Sequence, residues 1–172
     1  MEILDILLKR RSIRKYTAER IPEEKLEKIL QAGLLSPTSR NLREWEFYVV
    51  EDRAVLKELS GAKERGAGML AECAAAIVVF GDSSRADTWV EDCSIAMTGM
   101  MITAESEGIG CCWSQMHFRK DADGKDAEEN VRRILSAPDN YRVVGILAMG
   151  IPAEDPAPHT LEELDWTKVK HL

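Results

Sequence analysis

Two stretches of this chain, "AAIVVFGD" at 75–82 and "YRVVGILAMGIP" at 141–152, are apolar without alternation. A strand with one wet face alternates apolar and polar residues, so each unbroken run reads as a central strand buried on both faces. "EFYVVED" (46–52) and "GCCWSQM" (110–116) read as further strands. Helical spacing covers much of the rest. Ile3, Leu4, Leu7 and Leu8 predict a helix over 2–10. Pro22, with Leu26, Ile29, Leu30 and Leu34, predicts a second one starting at 22. Asp52 is placed to cap a short helix carrying Val55, Leu56 and Leu59. The longest helix is expected over 89–107, with Ala96, Met97, Met100, Met101 and Ala104 facing one way, a face of small and flexible residues suited to packing against its symmetry mate, and Gly108 ending it. Asp126 and Glu129 mark another helix start at 127. Helices gather early and strands are scattered, without regular strand–helix alternation, which predicts an α+β fold. No linker or repeat divides residues 1–172, so one domain is expected.

The chain is acidic, with 30 Asp and Glu against 23 Lys and Arg, which argues against a nucleic-acid-binding protein. No apolar run approaches the roughly 20 residues that cross a bilayer, and no basic segment precedes an apolar core at the N-terminus. Cys73, Cys93, Cys111 and Cys112 form no C-x-x-C motif and read as reduced thiols of a cytoplasmic protein. His117, His159 and His171 lack ligand-pair spacing, so no metal is expected.

Against this acidity, "KRRSIRKYT" (9–17) gathers Lys9, Arg10, Arg11, Arg14 and Lys15. At helical spacing of three to four, Arg10, Arg11 and Arg14 would lie together. Guanidinium groups match phosphate oxygens bidentately and the Ser12 hydroxyl can donate too; the plain alternative is a solvated helix end that offsets the dipole. "LLSPTSRNLREWEFYVV" (34–50) is a loop of short hydroxyls and an amide, in which Asn41 can both donate and accept, as an imide edge requires. It reads equally as a helix-to-strand connection. "EGIGCCWSQM" (107–116) allows close backbone approach at its glycines and offers the Trp113 ring, or is simply a helix cap followed by a core strand.

In this order the three stretches resemble the nitroreductase family of FMN-dependent oxidoreductases. The R-x-S-x-R start is "RRSIRKY", the proline-led helix "IPEEKLEKILQAG" and the P-[ST]-x-x-N-x-x-x-W loop "PTSRNLREW". The resemblance continues through "AESEGIGCCW" to "GILAMGIP" and so covers nearly the whole chain. It implies a mostly antiparallel central sheet flanked by helices, in an intertwined homodimer with shared active sites. Arg10, Arg11, Ser12 and Arg14 would hold the FMN phosphate and reach the pyrimidine edge. Pro37, Thr38, Ser39 and Asn41 would reach the flavin of the other subunit. Trp113, Ser114 and Gln115 would lie beside the isoalloxazine, with Lys168 and Lys170 as candidates to complete the phosphate site. NADH or NADPH would be the co-substrate, and a nitroaromatic, quinone or flavin the acceptor, in ping-pong order. The flavin would carry the chemistry, with Arg14 in an electrostatic role. Only "GDSSRADTW" (81–89) stands where many members carry a lid. Two other readings keep the same motifs: a flavin-dependent dehalogenase or flavin-breakdown enzyme, and an electron-transfer module without NAD(P)H activity.

Overall fold

A computed structural model describes residues 2–172, built on one antiparallel sheet in the order β1-β2-β4-β3. The strands are β1 (Trp45–Val50), β2 (Ala75–Asp82), β3 (Gly110–Gln115) and β4 (Tyr141–Gly150). The two apolar runs are the two central strands, paired from Ala75↔Met149 to Asp82↔Tyr141. Alternate β2 residues enter two separate cores. Ala76, Val78 and Phe80 pack on one face of the sheet, and Ala75, Ile77 and Val79 on the other. The register slips between Val79 and Phe80, opposite Val143–Gly145. A bulge normally throws side chains onto the wrong face, but here both faces are apolar and the slip carries no solvation cost.

The described residues form five α-helices, α1 (Ile3–Lys9), α2 (Glu23–Leu34), α3 (Arg53–Ser60), α4 (Trp89–Ser106) and α5 (Ala127–Leu135), with α1 packed on α4. α3 and α5 close one face, each started by the expected aspartate. The Asp52 carboxylate accepts from Ala54 and Val55 N–H, and that of Asp126 accepts from Glu128 N–H. α2 and α4 close the other face. Pro22 sits just outside α2 as its N-terminal cap, not within its first turn. The two helices approach so closely that a Cβ on Gly33 would meet Met100 Sδ and the Phe47 ring at 3.0 Å.

Two expectations change here. Ala96, Met97, Met100 and Ala104 of α4 face this chain's own sheet and α2, because small and flexible side chains let the helix close tightly on them. The side of α4 left open carries Ile95 and Thr98. The apolar residues of α1 are mostly outward: Ile3, Leu4 and Leu7 are exposed and Ile6 is its buried residue. No helix among the described residues is long and apolar enough to cross a membrane.

Candidate active site

The basic segment is not helical. α1 ends at Lys9, and the chain then runs extended past β3 and the end of β4, with Ile13 N–H donating to Cys111 O at 2.9 Å and Thr17 N–H to Ile151 O at 2.9 Å. Ser12 bridges Cys111 in parallel, and Tyr16 bridges Pro152. An R-x-S-x-R spacing has period two, so in an extended segment residues 10, 12 and 14 share one side while Ile13 points into the core. The helical spacing expected for Arg10, Arg11 and Arg14 therefore does not apply. Glu154 pins the segment from outside, its Oε1 accepting from Arg14 N–H at 2.6 Å and Lys15 N–H at 3.2 Å. Those bonds, chiefly the Arg14 one, hold the Glu154 carboxyl below the usual carboxylate range.

Arg10, Arg11, Ser12, Arg14 and Lys15 line a cavity of ≈ 580 Å³ with Glu154, Pro156 and His159. Four cations face one carboxylate. The C-terminal segment forms part of its wall, since the Arg11 guanidinium donates to Ala157 O and His159 N–H donates to Leu8 O. Lys168 and Lys170 are exposed further along the segment and do not line the cavity; Lys168 lies 3.9 Å from Asp165.

Pro37, Thr38, Ser39 and Asn41 lie at the other end of α4. Ser39 N–H donates to Asp92 Oδ1 at 2.9 Å, and Thr88 Oγ donates to Asp92 Oδ2 at 2.9 Å. Arg40, Asn41 and Arg43 all have positive φ, and Thr38 Oγ1 accepts from Arg43 N–H. Asn41 Oδ1 accepts from Arg43 Nε at 3.1 Å, and its amide nitrogen has no partner among the described residues. Beneath this loop Glu44 is buried with neither carboxylate oxygen hydrogen-bonded. Burial pushes its carboxyl above the usual range, and neighbouring Asp92 adds to the rise. Lys9 pairs with Glu105 at 3.3 Å near the start of the basic segment, thirteen residues along α4 from Asp92. At 1.5 Å per residue the two loci stand about 20 Å apart. Asn41 does not line the cavity that Arg14 lines.

Trp113, Ser114 and Gln115 follow along β3, at the sheet edge. Trp113 crosses Gly145 so closely that a Cβ there would lie 2.8 Å from its Nε1. That Nε1 donates to Gln115 Oε1 at 2.8 Å, and Gln115 Nε2 donates to His117 O at 3.3 Å, which fixes the amide. Ser114 is buried and its hydroxyl donates to Gly66 O, so it can offer a ligand only backbone. Lys63 Nζ donates to Gln115 O at 2.8 Å; burial, then Arg119, lowers its pKa.

Behind β3 lies a network the sequence did not suggest. Buried Glu128 accepts from Arg142 Nε (2.9 Å) and Nη2 (2.8 Å) and from Val143 N–H (2.9 Å), and pairs with His117 Nδ1 at 2.7 Å. His117 in turn stands edge-on to Trp89, with ring centroids 4.9 Å apart. The four cysteines are free and buried; burial raises Cys73 to about 11 and Cys111 to about 12, which makes them poor nucleophiles. No group of three or more potential metal ligands occurs among the described residues.

Residues 7–67 and 61–151 match the model of the nitroreductase family. A protein of Methanothermobacter thermautotrophicus, provisionally named NADH dehydrogenase/NAD(P)H nitroreductase, is 34% identical over 168 residues, covering 96% of this chain and 85% of its own. The solved structure of an FMN-dependent nitroreductase from Clostridium difficile superposes with a TM-score of 0.96 at 38% identity, covering 98% of each chain. Iodotyrosine deiodinase bound to FMN and 3-iodo-L-tyrosine shares the fold alone, at 19% identity and a TM-score of 0.78 over 99% of this chain and 100% of its own.

Proposed function

This chain belongs to the nitroreductase family, and on that basis we propose that it is an FMN-dependent oxidoreductase. It takes a hydride from NADH or NADPH and passes electrons to a small acceptor such as a nitroaromatic, a quinone or a flavin. The observation that carries this is the cavity of four cations against one carboxylate, set in a chain of net charge −7. A phosphate dianion fits such a donor set. When bound, FMN supplies the redox chemistry by accepting a hydride and releasing electrons.

The protein's part is to bind and to tune. Arg10, Ser12 and Arg14, sharing one side of an extended segment, hold the phosphate. The Arg14 guanidinium has one weak internal bond, to Ser12 O at 3.4 Å, and is otherwise free to balance anionic charge on the cofactor. Asn41 offers its unpartnered amide nitrogen to a heterocycle edge. Because Arg14 and Asn41 stand apart in one chain, the complete site belongs to a homodimer in which each subunit lends Asn41 to the other's Arg14. Exposed Ile3, Leu4 and Leu7 on α1, Leu34 and Leu35 at the end of α2, and Ile95 on α4 are apolar surface suited to that contact. Four free thiols suit a reducing, cytoplasmic setting.

The wild-type protein should purify yellow, with about one FMN per chain. It should bleach rapidly on anaerobic mixing with NADPH and give parallel double-reciprocal lines with a quinone acceptor. Arg10→Ala with Arg14→Ala should strip the flavin while far-ultraviolet circular dichroism is unchanged. A colourless wild type that takes up no added FMN rejects the reading. A yellow protein that neither NADH nor NADPH bleaches makes it an electron-transfer module instead. The dehalogenase reading rests on the shared fold, and nothing in the site favours it.

A further inference from the structure

Glu44 stands one residue ahead of β1, is 2% exposed, and receives no N–H or O–H on either carboxylate oxygen. A buried carboxylate so placed either finds a cation or keeps its proton. The groups around it decide which. Arg85, on the connection between β2 and α4, is exposed, and its guanidinium donates to Leu42 O at 3.2 Å rather than to Glu44. β2 presents Asp82, whose N–H donates to Glu44 O and whose carboxylate is engaged by the N–H and hydroxyl of Ser84. α4 presents the Cys93 thiol and, within hydrogen-bonding reach, the carboxylate of equally buried Asp92. Two carboxylates side by side are not both ionised. Asp92 is placed to be the anion, since it lies in the first turn of α4 and accepts from Ser39 N–H and Thr88 Oγ. Glu44 has neither advantage.

We propose that Glu44 keeps its proton and donates it to Asp92, and that this acid pair positions the loop 38–43 for the flavin of the other subunit. Asp92 is bonded to that loop through Ser39, and the loop needs such ties. Arg40, Asn41 and Arg43 have φ of +53, +54 and +48, conformations that non-glycine residues keep only where their surroundings over-determine them. Glu44 and Asp92 are positioning residues: they touch no reacting atom and act through the backbone of 39–41. The inference rests on the reading that Asn41 reaches a flavin. It also carries a sign. Burial first, and then Asp92, raise the Glu44 carboxyl, so the paired form persists above the ordinary carboxylate range and is lost as pH rises through the folded value. Beyond that point two buried anions repel, and Asp92 is drawn away from Ser39.

The test compares wild type with Glu44→Gln, which keeps a donor toward Asp92 that does not titrate, and Glu44→Leu, which keeps the approximate volume and removes the donor. The infrared difference spectrum of wild type minus Glu44→Gln at pH ~7 should carry the C=O stretch of a protonated carboxyl, with or without flavin. FMN affinity is then titrated by flavin fluorescence from pH ~6 to pH ~9.5, a range that spans the highest values known for buried glutamates. At the acid end Glu44→Gln should bind FMN as wild type does, and Glu44→Leu about tenfold more weakly, the loss expected for a hydrogen bond to a charged group. As pH rises, the ratio of wild-type Kd to Glu44→Gln Kd should climb about tenfold; ionisation of FMN itself cancels in that ratio. Absence of the carboxyl band overturns the shared proton. A flat ratio, or a folded Glu44→Leu that binds FMN as tightly as Glu44→Gln, overturns the positioning role while leaving the flavin reading intact. Should Glu44→Leu not fold, the ratio alone decides. A wild type that shows the band yet takes up no FMN overturns the functional reading, and the positioning role with it.

Discussion

Replacing Glu128 by glutamine should destabilise this protein by about 3 kcal/mol, and the loss should depend on pH in a particular direction. Glu128 Oε1 serves Arg142 Nη2 and His117 Nδ1, and Oε2 serves Arg142 Nε and Val143 N–H. Glutamine keeps the volume, so no cavity is made, but it removes the charge and turns an NH2 toward groups that also donate. Removing one partner of a buried ion pair costs about 3–5 kcal/mol. The Arg142 side chain is 36% exposed and recovers hydration, which places the expectation at the lower end. A loss of that size lowers Tm by roughly 6–12 °C in a chain of this length. Burial alone would raise the Glu128 carboxyl. Hydrogen bonds from Arg142, Val143 N–H and His117 outweigh it and hold the group below the usual carboxylate range. A depressed carboxyl contributes stability that is present above its unfolded value of 4.5 and lost as pH falls toward the folded value. The wild-type advantage should therefore shrink as the pH is lowered below about 4.5. Urea unfolding followed by tryptophan fluorescence, at one protein concentration and a series of pH values, measures this. A loss under about 1 kcal/mol, or a gap that stays constant down to pH ~3, refutes the reasoning.

Glu44→Gln should act with the opposite sign. A raised carboxyl costs stability as pH rises from its unfolded value to its folded one, so the variant should be about 1 kcal/mol more stable at pH ~7.5 and no better below pH ~4.5; equal urea midpoints at pH ~7.5 would contradict this. Gly110→Ala would place a Cβ 2.9 Å from Ile13 Cγ2 and displace the basic segment. FMN affinity, titrated by flavin fluorescence, should fall about tenfold at a typical overpacking cost, and an unchanged Kd would mean that the segment is not positioned by β3. Arg14→Ala and Asn41→Ala chains, each impaired alone, should regain activity when unfolded and refolded together, since a mixed dimer holds one intact site. No rescue above the parental average rejects the shared site.

Much of this architecture was legible in the residues themselves. The run at 75–82 marked β2 at its true bounds, because a strand covered on both faces has no polar residue to interrupt it. Asp52 and Asp126 marked two helix starts, because a carboxylate beside free N–H groups acts within three residues. The basic cluster was visible as charge, but its conformation was misjudged: an R-x-S-x-R spacing fits a strand, and what holds residues 10–16 extended is β3 and the residues just after β4, a hundred or more residues away. The order β1-β2-β4-β3 carried no local signal either. Nor did Glu154 against Arg14, or Glu128 meeting His117, Arg142 and Val143, since each is an ordinary surface residue type until folding sets its partners beside it. The separation of Arg14 from Asn41 likewise depends on how α4 lies between them. Turns, caps and buried strands depend on neighbours a few residues away and can be read in one dimension. Ion pairs, strained turns and the two halves of this site depend on which distant segments the closed cores bring together, and that only the tertiary structure decides.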